Sequence, residues 1–335
     1  MTSPDPGGPV IATALTTAEA AAVLADPVLR GRWSHHRAAF TVLGIDRLPG
    51  APTESVPAAG DLDPSVLATA LAVYGGPAVV VAATAHIDLP YNLARRTLSL
   101  DHLTRGRSGL LLGSRDPRGR TGNAWSGAGL GAAAELGPAT TADTAHAVLG
   151  LWQSWPLDSI AGDKESGILV HSERIRRVGH RGVTRTAGPL SIPTSPQGTP
   201  VLGWYGTGPD IRAHTPDIAD LTVLGGLPDR ATVASAAGQP GRAPVLAEAS
   251  VRDLETAAEL LRAGAHGLLL RTTGPGTPAE TAARLLSTDL TVRFPGAVVP
   301  GDTTLLRDAL GLPPPRDLLS DATAAFPAPS PGVYR

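Results

Sequence analysis

The feature that most constrains this chain is an alternation that recurs eight times. Short runs of β-branched or apolar residues are each followed by an Ala- and Leu-rich stretch with helical spacing. The runs are Pro9–Leu15, Ala38–Gly44, Ala78–Ala85, Ser108–Ser114, Pro200–Gly206, Leu221–Gly226, Ala243–Ala249 and His266–Arg271. Helical spacing fills the intervals. Thr16–Ala25 opens with Thr-Thr-Ala-Glu, a capping-box arrangement. Asp63-Pro64 puts Pro at the first helical position before Ser65–Tyr74. Leu89–Leu103 places Leu93, Thr97, Leu100 and Leu103 on one face, and Thr141–Trp155, Pro209–Ala219, Asp229–Ala237, Val251–Ala263 and Pro278–Ser287 follow. Each segment is long enough to cross back over a parallel strand. Eight such units favour an α/β fold of the (β/α)8 TIM-barrel type, although their order alone also suits a doubly wound sheet.

One stretch breaks the rhythm. Residues 159–199 lack periodicity and carry Asp163, Lys164, Glu165, Arg174, Arg176 and Arg177 among turn residues. They are expected to form a long insertion between the fourth and fifth units, and at the carboxyl ends of the strands such a loop would cover an active site. The tail beyond Pro313 is Pro-rich and is expected to be irregular and packed along the outside of one domain spanning 1–335.

Composition narrows the function classes. With 28 basic and 30 acidic residues the net charge is −2, which gives no electrostatic case for nucleic acid or an anionic membrane. There are no cysteines, so disulfides, thiolate chemistry and Cys-ligated metals are excluded. No run approaches the ~18 apolar residues of a membrane span, and Met1–Gly8 does not read as a signal peptide, so a cytoplasmic protein is expected.

Longer motifs carry a family resemblance. Residues 90–107 read PYNLARRTLSLDHLTRGR and resemble P-Y-x-x-A-R-x-x-x-x-L-D-x-L-S-x-G-R, with Thr104 in place of Ser. Further matches follow in the same order: Leu151-Trp152-Gln153-Ser154-Trp155, His180-Arg181-Gly182, Gly188-Pro189-Leu190, Pro196-Gln197-Gly198 and Leu306-Arg307-Asp308-Ala309-Leu310-Gly311-Leu312. Together they resemble the bacterial luciferase-like monooxygenase superfamily, in the clade of nitrilotriacetate monooxygenase, pristinamycin synthase and dibenzothiophene-sulfone monooxygenase. That resemblance implies a barrel that binds FMN across its carboxyl mouth. It further implies reduced flavin from a separate flavin reductase, oxygenation of a small organic substrate, and a homodimer or a dimer with a homologous barrel.

Site residues carry over unevenly. The family's T-A-S-T after the third strand is Thr84-Ala85-His86-Ile87 here, which makes Thr84 and Ala85 cofactor-binding candidates and His86 a weak catalytic candidate. At the fourth strand, G-W-N-x-V-T-S becomes Gly109-Leu110-Leu111-Leu112-Gly113-Ser114-Arg115: Ser114 keeps a hydroxyl, but Leu111 replaces the Asn near the flavin ring. The phosphate loop Q-A-G-x-S becomes Trp204-Tyr205-Gly206-Thr207-Gly208, leaving Gly206, Thr207 and Gly208 as candidates. The family's His and Tyr for the flavin phosphate fall on positions near Ala134 and on Pro138, and only Asp143 keeps a related side chain there. Three functions stay open: an FMN-dependent monooxygenase with an altered pocket, which the resemblance favours; a catalytically inactive barrel that serves as partner subunit or ligand-binding protein; or an enzyme that uses a different reduced flavin, such as a deazaflavin.

Overall fold

The computed structural model describes residues 7–48, 62–85, 89–114, 137–208, 211–238 and 243–326. Four parallel strands come first: β1 (Val10–Leu15), β2 (Phe40–Leu43), β3 (Ala78–Thr84) and β4 (Ser108–Gly113). A short antiparallel ladder of β5 (His180–Arg181) and β6 (Arg185–Thr186) stands apart. Four more parallel strands follow: β7 (Val201–Thr207), β8 (Leu221–Gly225), β9 (Val245–Ser250) and β10 (Gly267–Arg271). The eight parallel strands close into a barrel, with β4 beside β7 and β10 beside β1. All eight predicted strands are present, with ends shifted by one or two residues.

The helical readings fare less evenly. Helix α1 (Thr17–Ala25) carries the predicted capping box at Thr16 and Glu19. Pro64 starts α3 (Pro64–Ala72), capped by Asp63. In α4 (Pro90–Leu103) Leu93, Thr97 and Leu100 are buried, whereas Leu103 is 66% exposed. Helix α2 (Pro27–His35) was not anticipated; it packs on α1 and on α9 (Pro278–Leu286), which in the chain follows α7 (Arg230–Ala237) and α8 (Leu254–Arg262) and precedes the short α10 (Leu290–Arg293). The helix expected over 209–219 shrinks to one turn, α6 (Ile211–His214), because Thr215, Pro216 and Asp217 lead straight into β8.

Side chains pack in two shells. Inside the barrel lie Ala12, Phe40, Val42, Val80, Ala82, Leu111, Val201, Val223, Leu246 and Leu269. Leu306, which opens α11 (Leu306–Ala309), and Leu310, which caps its end, join this cluster and stopper the end where the strands begin. Outward residues such as Ile11, Leu15, Val79, Val81, Leu268 and Leu270 pack under the helices.

The insertion is placed differently from the expectation. It leaves α5 (Pro138–Gln153) and returns to β7, so both of its ends lie at the amino-terminal face of the barrel. It runs along the outside of α5, where Asp143 accepts hydrogen bonds from His180 Nε2 (3.0 Å) and the Thr184 amide (3.1 Å). A Cβ on Gly182 would stand 1.6 Å from the Asp143 carboxylate, so any larger residue there would displace that carboxylate from its bonds to His180 and Thr184. A helix-to-strand connection cannot roof the carboxyl mouth without crossing the helix layer, and this one instead pairs with the tail at Arg176 and Ala324.

The motifs of the resemblance meet beneath the barrel. Asp101 is fully buried and accepts from Ser108 Oγ (2.8 Å) and Gln197 Nε2 (2.6 Å). Gln197 Oε1 accepts the Arg307 amide (3.2 Å), and the Arg307 guanidinium grips Asp220 with two bonds of 2.7 Å. Trp152 Nε1 donates to the Ala94 carbonyl (3.0 Å). Burial pushes the Asp101 carboxyl above its ordinary range, and the donors around it oppose that shift.

His36 closes α2 and is 5% exposed, in a small cavity that Arg107 and Asp302 also line. Burial lowers its pKa from 6.5 to about 4. Above pH 6.5 the imidazole is neutral in both folded and unfolded chains. Between pH 6.5 and about 4 only the unfolded chain takes up the proton, so stability falls with pH in that window. Urea unfolding is expected to show wild type losing on the order of 3 kcal/mol relative to His36→Gln between pH 7 and pH 4. A pH-independent difference between the two proteins would refute this.

Candidate functional site

Alternation along a strand turns every second side chain inward. Followed around the barrel, the strand pairing returns to β1 displaced by eight residues, the shear of a (β/α)8 barrel. Inward residues therefore fall into layers of four drawn from alternate strands. Val42, Leu111, Val223 and Leu269 form an apolar layer. Above it, toward the carboxyl ends, this stagger places Ala14, Ala82, Tyr205 and Glu248, then Gly44, Gly113, Gly225 and Arg271, then a rim of Thr84, Thr207 and Ser250.

The two layers below the rim hold a buried polar cluster. Glu248 is fully buried, Tyr205 likewise, and Arg271 is 5% exposed. Tyr205 Oη donates to Glu248 Oε2 at 2.5 Å, the Gly226 amide donates to the same oxygen at 3.0 Å, and Arg271 Nε donates to Oε1. Burial first, and then the Glu248 charge, push the Tyr205 hydroxyl well above its ordinary value, so it stays a phenol and a donor. With three donors on it, Glu248 is held as an acceptor and is not free to act as a base. The Tyr205 ring lies over Gly225, where a Cβ would stand 2.0 Å from the ring. Ala14 and Ala82, the small members of the Tyr205 layer, leave the space the ring and carboxylate occupy.

The predicted site residues divide. Thr84, Ser114 and Thr207 end the neighbouring strands β3, β4 and β7 at one rim of the mouth. Thr84 is buried and its Oγ1 has no hydrogen-bond partner, Ala85 is buried beside it, Ser114 is half-buried and Thr207 is exposed. Gly206 faces outward onto Ile211 and can offer only backbone. Gly208 leaves β7 at φ +81°. The single turn of α6 gives the expected phosphate loop little helix dipole. His86 lies outside the described residues. Leu111 sits within the apolar interior against Gly203, well inside the barrel. Among the described residues no group of His, Asp and Glu could hold a metal ion, and no helix is long and apolar enough to cross a membrane.

Tyr205, Glu248 and Arg271 were not singled out from sequence as a cluster. The signal was there: a lone Glu in Val-Leu-Ala-Glu-Ala-Ser and a lone Arg ending Gly-Leu-Leu-Leu-Arg are charges within otherwise apolar strands. Such charges are buried only when paired. Gly225→Ala is expected to cost about 1–3 kcal/mol by overpacking the Tyr205 ring. Adding Tyr205→Ala to it should cost less than the sum of the two single changes in a urea-unfolding cycle, and strict additivity would show that ring and Cβ do not compete.

No protein-family model matches the chain. Individual relatives do. The B subunit of pristinamycin IIA synthase from Streptomyces pristinaespiralis is 32% identical over 229 residues, 62% of this chain and 73% of that protein. Nitrilotriacetate monooxygenase component A from Aminobacter aminovorans is 32% identical over 168 residues, but these make up 47% of this chain and only 35% of that protein. Among solved structures, long-chain alkane monooxygenase superposes over 93% of this chain and 96% of its own with a TM-score of 0.67 at 16% identity, a likeness of fold. With a closed eight-stranded parallel barrel, the shared motifs and a relative matched over most of its length, this chain belongs to the luciferase-like monooxygenase clade.

Proposed function

We propose that this chain serves a luciferase-like, reduced-flavin monooxygenase system acting on a small organic substrate, and that within it the chain is the barrel that pairs with a flavin-carrying homologue. The observation that carries this reading is the Tyr205–Glu248–Arg271 cluster. Where the resemblance implies an Ala in the phosphate-loop strand, Tyr205 extends its ring across the interior to Glu248. Where it implies an Asn beside the flavin, Leu111 is part of the apolar core. These residues do not fit a flavin seated as the resemblance implies, and no step through a flavin is derived for this chain.

Two further points support a partner role. The relative matched over most of its length is itself the B subunit of its synthase. Helices α3 and α4 pack side by side and carry apolar residues in solvent, Val66 at 56%, Leu103 at 66% and, just past α3, Val73 at 80% exposure. Side chains of that kind, left bare on adjacent helices, suit a second barrel laid against them.

A second reading, the oxygenating component itself, is favoured by the rim hydroxyls of Thr207 and Ser114, which could meet a flavin lying above the cluster. Titration of the purified full chain with FMN, and anaerobically with reduced FMN, separates the two. The partner reading expects no saturable binding tighter than about 10 μM. Tighter binding with a perturbed flavin spectrum would overturn it in favour of the oxygenase, with the reductase then the partner to seek.

A further inference from the structure

The buried cluster leaves one group uncommitted. Arg271 uses Nε on Glu248, while its two terminal amino groups have no partner among the described residues. Arg271 is only 5% exposed as a whole, yet its terminal nitrogens are not among the buried unpaired atoms, so that small exposure leaves them in reach of solvent and of a ligand. Three glycines, Gly44, Gly113 and Gly225, complete the Arg271 layer, and the Gly44 and Gly113 positions add no inward side chain beside it. One layer higher stands Thr84, buried to 1% exposure, whose hydroxyl also has no partner. Thr207 is on the same layer and open to solvent, and Ser250 is tied to Thr273 Oγ1 at 2.6 Å. The mouth therefore offers a forked cation as floor and, one level above it, one buried unpaired hydroxyl and one hydroxyl open to solvent.

We propose that this mouth binds a small anion through a two-oxygen edge, a carboxylate or a phosphate, seated on the terminal amino groups of Arg271 and bonded by the hydroxyls of Thr84 and Thr207. The guanidinium fork matches two oxygens of such an anion with parallel hydrogen bonds. Glu248 balances the Arg271 charge, so recognition comes from directed donors and not from net positive potential. The cluster fixes the fork: Tyr205 and the Gly226 amide hold Glu248, and Glu248 holds Nε. The site does not depend on whether the chain pairs with a second barrel.

Isothermal titration of the full chain with sodium succinate, and separately with inorganic phosphate, tests the proposal and tells the two chemistries apart. At least one is expected to bind saturably and tighter than about 1 mM. Arg271→Lys, which keeps the charge on Glu248 but not the fork, should weaken binding at least tenfold. Thr84→Val removes a hydroxyl that bonds nothing in the protein, so it should leave thermal unfolding unchanged and weaken binding severalfold; it carries the test if Arg271→Lys fails to fold. Arg293→Gln, an exposed arginine outside the mouth, should bind as wild type. Absence of saturable binding by either anion up to 10 mM, equal affinity in wild type and Thr84→Val, or equal loss in Arg293→Gln would each overturn the site. Flavin binding would overturn the partner reading and leave this one standing.

Discussion

The register between neighbouring strands decides everything else in this molecule. A displacement of eight residues around the ring fixes which inward side chains share a level, and so which residues distant in sequence can meet. It sets Tyr205 level with Glu248 from strands that are not neighbours, with Gly225 between them under the ring. It also gathers three glycines at the level of one arginine. A slip of one residue on β7, β9 or β10 would turn Tyr205, Glu248 or Arg271 toward the helices and dissolve the cluster.

The two ends of the barrel do different work. The amino-terminal end holds the bonds that stitch the chain: Asp101, Gln197 and Arg307, drawn from three motifs far apart in sequence, converge with Asp220 in one buried network. At the other end the residues are fewer and more idiosyncratic. This division follows the usual logic of the fold, in which strand beginnings stabilise and strand ends carry chemistry. In this chain Arg307 grips Asp220 at the first end, and Tyr205 reaches across the interior to Glu248 near the second.

Much of the architecture was legible in the sequence because strand and helix signals rest on local physics. Period-two burial, the Thr16–Glu19 capping box and Pro64 at a helix start are each decided within a few residues. Helix α2 escaped notice because its interior Gly31 and charged residues blur the apolar period, although Asp26 caps it and Pro27 begins it. The direction of the insertion could not be read, since the His180–Asp143 bond that ties it down spans 37 positions. The site was legible only in part. Thr84, Ser114 and Thr207 were placed by motif and stand at one rim, whereas the Tyr205–Glu248–Arg271 cluster depends on strand stagger, which no single segment encodes.

The stopper at the barrel's lower end has a consequence for how such a chain is made. Leu306 and Leu310 belong to the interior, and the Leu306 amide bonds the Gly106 carbonyl. The network around Asp101 stays unfinished until Arg307 arrives. During synthesis, then, every barrel strand can emerge while the hollow they surround is still wet at its base. Closure of the core waits for the segment around Leu306–Leu310, which follows all eight strands in the chain, so truncation before it would harm the barrel far more than the irregular look of that region suggests.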